Sequence, residues 1–147
     1  MKANLVDQIR LLRDQVPEAF GKPIEEVKIV EAEKTLGVTL PEEYKSFIKE
    51  FGSGAVGEAI IIGLSEAKFV ETPSFVEESL RFREELPDEY KNIVVIGIDN
   101  SGNPVGFLPE SPVVFVYDYD FGGRYDLAKD FNEYVEKSLN RTLDVGF

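Results

Sequence analysis

The sequence contains neither cysteine nor histidine. Without cysteine, the chain cannot form disulfides, offer a thiolate nucleophile or bind a metal through sulfur. Without histidine, it cannot build a Ser-His-Asp or Cys-His catalytic site or a histidine-ligated metal site. A general base would have to be a carboxylate, a lysine or a tyrosine with a strongly shifted pKa. These absences narrow the chemistry that the chain could perform to such groups.

Long apolar runs are also missing. The first 16 residues place apolar side chains at helical spacing but interrupt them with charges, unlike the continuous apolar segment of a signal peptide. No stretch approaches the ~20 apolar residues that a membrane-spanning helix requires. Because the absence of cysteine also fits a reducing compartment, we expect a cytoplasmic protein that does not enter a membrane.

Basic residues are scarce, with 16 Lys and Arg against 28 Asp and Glu and a formal net charge of −12. This balance disfavours direct binding to nucleic acid, because phosphate contacts require a basic surface. The same charge would speed encounter with a basic protein partner. It would equally keep the protein soluble, so charge alone does not choose between the two roles.

The hydrophobic content of 43% and the length of 147 residues suit one globular domain spanning residues 1–147. Hydrophobic periodicity predicts five helices, at residues 4–16, 24–36, 40–51, 74–85 and 127–139. It predicts strands at residues 59–64, 93–98, 105–108 and 113–117, with the first as the central strand and residues 65–73 as a loop. The fold class is therefore α+β, with a mainly antiparallel sheet of about four to six strands packed against helices.

Local capping signals refine these predictions. Gly37 stands where a left-handed residue would end the second helix, and Thr39 has capping-box spacing to Glu42 before the third. Ser74 and Glu77 have the same spacing at the start of the fourth helix. That helix is predicted to be polar, to have Val76, Leu80 and Arg83 on one narrow side, and to lie on the outside as a connection between strands.

The stretch from residue 29 to residue 54 holds the most distinctive pattern. Its spaced positions are Glu33, Leu36, Gly37, Leu40, Pro41, Tyr44, Phe47 and Gly52. Glu33 lies on the apolar stripe of its helix, where a carboxylate more often accepts backbone N–H groups than acts as a functional acid.

This pattern resembles the signature of the SUKH superfamily, which includes fungal Smi/Knr-type cell-wall assembly regulators and many bacterial immunity proteins. The run Val113-x-x-Val116-Tyr117 and the later Leu127-Ala128-x-x-Phe131-x-x-Tyr134 resemble the usual ending of the family. The resemblance is strongest over residues 24–138. The sequence departs from the pattern at residues 51–54, Phe-Gly-Ser-Gly, where many members have an Asn-Gly-Gly-like turn.

The resemblance implies the SUKH fold and a function by binding, with no catalytic residues, no metal ligands and no cofactor. Many bacterial members neutralise a toxin domain, frequently a nuclease, so we expect a monomer or weak dimer that binds a basic toxin domain stoichiometrically. A regulatory scaffold that docks on cellular proteins, as the fungal relatives are thought to do, is the alternative. A small-ligand binder or an enzyme would need a deep pocket that holds carboxylates with raised pKa values.

Residues 117–126, Tyr-Asp-Tyr-Asp-Phe-Gly-Gly-Arg-Tyr-Asp, alternate aromatic and acidic side chains before two glycines and an arginine. Structurally, the first tyrosine would end a strand, the next two aromatics would cover the sheet edge, and the glycines would make a turn. Functionally, aromatics and an arginine rimmed by carboxylates have the composition of a protein-binding hot spot. The candidate partner-binding residues are Tyr117, Asp118, Tyr119, Asp120, Phe121 and Arg124.

Residues 99–103, Asp-Asn-Ser-Gly-Asn, concentrate oxygen ligands around a glycine and so invite a calcium interpretation. The loop lacks EF-hand length and the distant bidentate glutamate. A hairpin turn explains the same residues, because Asn, Asp and Gly tolerate left-handed conformations. We therefore predict a turn.

Overall fold

The computed structural model of the chain describes residues 1–65 and 73–143. The loop predicted at residues 65–73 lies mostly outside this description. The five helices are α1 (Ala3–Gln15), α2 (Glu26–Leu36), α3 (Glu42–Phe51), α4 (Phe75–Glu85) and α5 (Phe131–Asn140). The six strands are β1 (Gly54–Val56), β2 (Ala59–Ile61), β3 (Val94–Ile98), β4 (Pro104–Phe107), β5 (Val114–Asp118) and β6 (Gly123–Ala128).

All strand pairs are antiparallel, in a two-stranded hairpin β1–β2 and a four-stranded sheet ordered β3-β4-β5-β6. The four-stranded sheet is a meander, so each strand pairs with its neighbours in sequence. Short connections between strands permit this arrangement, because antiparallel strands need no crossover. The predicted α+β class and the mainly antiparallel sheet are confirmed.

The sheet is buried on both faces. On β3, Val94 and Ile96 join the larger core beneath the helices, while Val95 points to a smaller core on the opposite face. This alternation follows from the two-residue period of a strand. The smaller core consists of Phe82, Leu86, Tyr90, Ile93, Val95, Phe115 and Tyr117. Helix α4 lies along the outer edge of β3 and contributes to both cores, with Phe75 in the larger one and Phe82 in the smaller one.

The prediction of a central strand over residues 59–64 is wrong. Strand β2 ends at Ile61 and forms a hairpin with β1, in which Gly57 adopts a φ of 70° at the turn. Glycine adopts a positive φ readily, so the chain turns tightly at Gly57 and β2 pairs with β1. Past the hairpin, the Ile62 N–H donates to the Ile96 carbonyl at 2.8 Å, which ties the run to the outer edge of β3.

Helix α5 begins at Phe131 rather than at residue 127 as predicted, because residues 123–128 form β6. Asp130 caps the helix by accepting the Glu133 N–H at 2.8 Å. Leu127 is buried as a strand residue and Phe131 as a helix residue of the same core. Their spacing imitates one continuous helical face, so the apolar period alone misplaces the boundary.

Helix α4 is capped by Ser74 as predicted, with the Glu77 N–H donating to its hydroxyl at 3.2 Å. The expectation that this helix lies on the outside is wrong, because it buries four side chains, and the predicted narrow side is not the buried one, since Leu80 is 44% exposed. The buried side chains are instead Phe75, Glu78, Ser79 and Phe82.

Two contacts explain how the polar residues of α4 are accommodated. The Ser79 hydroxyl accepts the Val95 N–H of β3 at 2.8 Å, and Arg81 donates to the Glu78 carboxylate at 2.6 Å. Paired in this way, a buried hydroxyl and a buried carboxylate avoid most of the cost of leaving water.

Arg83 on α4 joins three parts of the chain. Its guanidinium donates to the carbonyls of Leu36 and Ile93 at 2.9 Å each and to that of Asn92 at 3.3 Å. No carboxylate is among these partners, and burial lowers the pKa of Arg83. The guanidinium therefore serves as a fixed multiple donor that links the end of α2 to the start of β3.

We expect Arg83→Met to destabilise the fold by about 1–3 kcal/mol, because it leaves three carbonyls without their donor. Urea denaturation of the variant and of the native chain measures the difference in the free energy of unfolding. Arg83→Lys is the matched control, since it keeps the charge but cannot reach three acceptors in one plane. A lysine variant as stable as the native chain would show that charge, rather than the donor geometry, matters here.

The end of α5 anchors the hairpin β1–β2. The Ser138 hydroxyl accepts the Ala59 N–H at 3.0 Å and donates to the Val56 carbonyl. The Ser138 carbonyl accepts the Glu58 N–H at 3.1 Å, and the Glu58 carboxylate accepts the Leu143 N–H at 2.6 Å. The hairpin thus obtains much of its hydrogen bonding from the helix rather than from its own two short strands.

Candidate protein-binding surface

The connection between α2 and α3 is held by its own side chains. Gly37 ends α2 in a left-handed conformation with a φ of 67°, as predicted. The Glu33 carboxylate accepts the Leu40 N–H at 2.8 Å, a backbone contact of the kind expected for it. The predicted capping box of Thr39 is wrong, because α3 begins after Pro41 without any side-chain cap.

The apolar members of the same pattern are structural. Leu36, Leu40, Tyr44 and Phe47 are all buried in the larger core. The Tyr44 ring makes edge contacts with three phenylalanines, and its hydroxyl donates to the Ile62 carbonyl. These residues therefore position α3 against the sheet and are unavailable to a partner.

The predicted partner-binding residues lie together at the end of β5, in the turn that follows it and in β6. We call residues 117–126 the aromatic–acidic turn. Tyr117 is buried, at 8% exposure, where its ring packs between Tyr90 and Tyr119. Tyr119 and Phe121 are exposed at 46% and 75%. Tyr117 therefore supports the surface, while the later two aromatics are accessible to a partner.

Asp118 shapes the turn itself. Its carboxylate accepts the N–H groups of Asp120 and Phe121 at 2.9 and 3.0 Å, and its carbonyl accepts that of Gly122. An aspartate that bonds the backbone two and three residues ahead fixes a tight turn. The carboxylate of Asp120 remains exposed next to it.

Tyr119 connects the aromatic–acidic turn to α4. Its hydroxyl donates to the Glu85 carboxylate at 3.1 Å, and its N–H donates to the Asn103 amide oxygen at 3.1 Å. Burial, together with the neighbouring Glu85, raises the pKa of Tyr119 to about 12. The phenol is therefore a neutral hydrogen-bond donor at physiological pH. Its bond to Glu85 places the acidic end of α4 next to the aromatic–acidic turn.

Arg124 lies against the smaller core. Its guanidinium stacks on the Phe115 ring at 4.0 Å from the ring centroid and donates to the Asp126 carboxylate at 2.9–3.0 Å. An arginine held by a ring on one side and a carboxylate on the other is preorganised, which reduces the entropy lost when a partner binds.

Sequence reasoning missed two members of this surface. Tyr125 is 47% exposed on β6, and Glu85 lies beside Tyr119. Tyr125 would have been found if residues 123–128 had been predicted as a strand, since alternate strand residues face opposite sides. No local signal places Glu85 here, because its position depends on the packing of α4.

The turn at residues 99–103 is confirmed as a hairpin turn. One carboxylate oxygen of Asp99 accepts the N–H groups of Ser101 and Asn103, and the other accepts the Asn103 side-chain amide. Its oxygens thus stabilise the backbone. Within residues 1–65 and 73–143, no group of three or more acidic side chains is arranged as metal ligands.

One open cavity has a volume of about 470 Å³ and lies between α2 and the start of α4, with both apolar and charged residues on its walls: Ala32, Leu64, Val76, Lys28, Glu31 and Glu77. Neighbouring cations lower the carboxyl pKa values of Glu42 and Glu50. These shifts run opposite to those of a carboxyl that acts as an acid at neutral pH.

In the part of the chain that the structure describes, none of the helices combines the length and the apolar character needed to cross a bilayer.

A family model described as "SMI1-KNR4 cell-wall", SUKH_5, matches residues 2–140. A search of the curated proteins finds no match. The family match includes α1, which lies outside the range of residues 24–138 over which the sequence pattern is strongest. It also agrees with the α+β architecture and with the packing of the motif residues described above. The chain therefore belongs to the SMI1-KNR4 family of the SUKH superfamily.

Proposed function

We propose that this chain is a non-catalytic, cytoplasmic immunity protein that neutralises a basic toxin domain by stoichiometric binding. The observation that carries the proposal is the aromatic–acidic turn, where exposed Tyr119 and Phe121 stand among carboxylates on a chain of net charge −12. Protein-binding hot spots are enriched in aromatic residues and arginine. Family membership supports a protein-binding role, since the superfamily includes immunity proteins.

The aromatic–acidic turn offers both components that such a complex needs. The carboxylates of Asp118, Asp120 and Asp126 would attract a basic surface and accelerate encounter. Exposed Phe121 would then bury its ring against the partner and slow dissociation. Arg124 would contribute a preorganised donor at the side of the same patch.

A nuclease is a suitable class of toxin. An enzyme that grips phosphates presents a basic cleft, and an acidic protein can occupy that cleft and exclude the nucleic acid. Because the contact depends on charge, its affinity should fall as salt screens the two surfaces.

The description of the family model as "cell-wall" favours a second candidate, a regulatory scaffold that docks on cellular enzymes. This role would use the same exposed surface without blocking an active site. The two candidates differ in consequence, because only an immunity protein protects a cell from a toxic partner.

The test is co-purification of the tagged chain with the product of the adjacent reading frame, at low and at moderate salt. We expect a stoichiometric complex that weakens as salt rises, and protection of cells that express the neighbouring product. A monomer that binds nothing and protects no cell would overturn the immunity proposal and favour the scaffold.

We expect Phe121→Ala to weaken that complex by roughly tenfold or more, since truncating a hot-spot side chain costs at least ~1–2 kcal/mol of binding free energy. Titration calorimetry measures the affinity. Leu11→Ala is the matched control, because Leu11 on α1 is also strongly exposed, at 61%, but lies outside the aromatic–acidic turn. Equal affinities for the two variants would remove Phe121 from the binding site.

A further inference from the structure

The two edges of the four-stranded sheet differ in how their backbone groups are satisfied. At β3, the Val95 N–H donates to Ser79, and the Ile96 carbonyl accepts the Ile62 N–H, each at 2.8 Å. Just before the strand, the Ile93 carbonyl accepts Arg83. Other elements therefore occupy this edge, and a further strand could not pair with it.

The edge at β6 has no strand partner among residues 1–65 and 73–143. Among the described residues β6 pairs with β5 alone, and no hydrogen bond outside that ladder involves the backbone of residues 123–126. The Leu127 carbonyl, in contrast, accepts the Lys137 ammonium at 2.8 Å, and the register shifts near this residue. The open stretch is therefore the regularly paired residues 123–126, where alternate N–H and C=O groups point away from β5.

We propose that residues 123–126 accept an extended, basic segment of the protein partner as a fifth strand of this sheet. The proposal rests on the proposed function and adds its binding mode. Strand addition to an exposed edge is a recognised form of peptide recognition, in which the main chain supplies affinity and alternate side chains supply specificity. Two of the exposed large hydrophobic side chains are close to this edge, Phe121 in the turn before β6 and Tyr125 on β6 itself.

The register predicts what the incoming strand must carry. Tyr125 pairs with Val116, whose side chain faces the larger core, so an apolar residue beside Tyr125 would extend that face. Asp126 pairs with Phe115 on the opposite face, where a basic residue of the incoming strand would share the Asp126 carboxylate with Arg124. An alternation of basic and apolar residues therefore fits this edge.

A second copy of the chain is a poorer occupant. Two chains of net charge −12 repel each other, whereas a basic segment is attracted to the carboxylates of the aromatic–acidic turn. A dimer of the free chain in which the amides of residues 123–126 resist hydrogen exchange would identify the second copy as the occupant and overturn the proposal.

The direct test uses a short peptide that alternates lysine and valine, with amide hydrogen exchange and NMR shifts of the native chain as readouts. We expect shifts and exchange protection centred on residues 123–126. Two matched peptides carry N-methyl groups, one on every valine and the other on every lysine.

Because only alternate residues of an added strand bond to its neighbour, one methylated peptide should bind like the parent. The other should bind roughly tenfold or more weakly. Equal behaviour of the two methylated peptides, or shifts that lie elsewhere on the chain, would refute strand addition.

A second experiment separates this inference from the proposed function. It measures amide hydrogen exchange of the chain in its complex with the product of the adjacent reading frame. A stable, salt-sensitive complex in which residues 123–126 exchange as in the free chain would refute strand addition and leave the immunity role in place. Peptide addition at β6 without any complex with the neighbouring product would overturn the immunity role alone.

Discussion

Gly52→Ala should destabilise the fold by on the order of 3–5 kcal/mol, a large part of the stability of a domain of this size. Gly52 ends α3 with a φ of 76° and a ψ of −48°, a backbone conformation that costs a residue with a Cβ atom considerable strain. An added methyl group would also overlap the Lys22 carbonyl and the Ser65 hydroxyl. The strain and the overlap act together because neither neighbour is free to move.

The neighbours are fixed by hydrogen bonds to one another. The Ser65 hydroxyl donates to the Lys22 carbonyl at 2.9 Å and accepts the Lys22 N–H at 2.8 Å, while the Gly52 carbonyl accepts the Leu64 N–H. Relief of the overlap would therefore break contacts among three separate segments.

Gly37→Ala is the matched control for Gly52→Ala. Gly37 also ends a helix at positive φ and belongs to the same sequence pattern, but no atom lies within 4 Å of an added Cβ. Its replacement should cost only the conformational term, about 1 kcal/mol. Urea denaturation measures both variants, and equal losses would show that crowding at Gly52 contributes nothing.

Tyr44→Ala should cost about 3–5 kcal/mol, because it opens a cavity at the centre of the larger core. The ring of Tyr44 lies 5.4 Å from that of Phe131 and 5.5 Å from that of Phe75, centroid to centroid, and its side chain is fully buried. It therefore joins α3 to both α4 and α5. Thermal and urea denaturation of the variant measure the loss.

Tyr44→Phe separates the ring from the hydroxyl. The hydroxyl donates to the Ile62 carbonyl just after the hairpin, so its removal leaves a buried acceptor without a donor. That loss should cost about 1–3 kcal/mol, less than the alanine variant. If the phenylalanine variant were as stable as the native chain, the Ile62 carbonyl would have another source of hydrogen bonding.

Those parts of the fold that depend on local chemistry could be predicted from sequence. Gly37 as a left-handed terminus, Ser74 as a helix cap and the Asp99 turn each involve residues within a few positions of one another. The apolar stripe of α3 could also be predicted, because Tyr44, Phe47, Ile48 and Phe51 all face one core and follow the helical period.

The predictions that failed concern features that depend on contacts between residues far apart in the sequence. Ser79 and Glu78 face inward on α4 because β3 and Arg81 satisfy them, and neither partner is visible in the local pattern. Residues 123–128 lack a run of apolar β-formers, and Leu127 falls in phase with α5, so β6 could not be recognised. Pairing with β5 makes it a strand.

In the aromatic–acidic turn, too, some features follow from local sequence and others depend on distant contacts. The exposure of Phe121 follows from its place in a turn, which the sequence indicates. The burial of Tyr117 depends on Tyr90, which packs against it from a 3-10 turn after α4. The preorganisation of Arg124 depends on the Phe115 ring of the neighbouring strand. Sequence could therefore predict where the surface lies but not which of its residues are accessible.

The bonds from Ser138 and Leu143 to the hairpin β1–β2 bear on the order in which the chain can fold during synthesis. The hairpin leaves the ribosome well before α5, yet Ser138 of that helix bonds to its backbone at Val56, Glu58 and Ala59, and Leu143 just beyond the helix donates to the Glu58 carboxylate. Until then the hairpin remains a short two-stranded unit, which is marginal alone in water. The nascent chain should therefore stay sensitive to proteolysis near residues 54–61 until α5 has emerged, and reach its native state only afterwards.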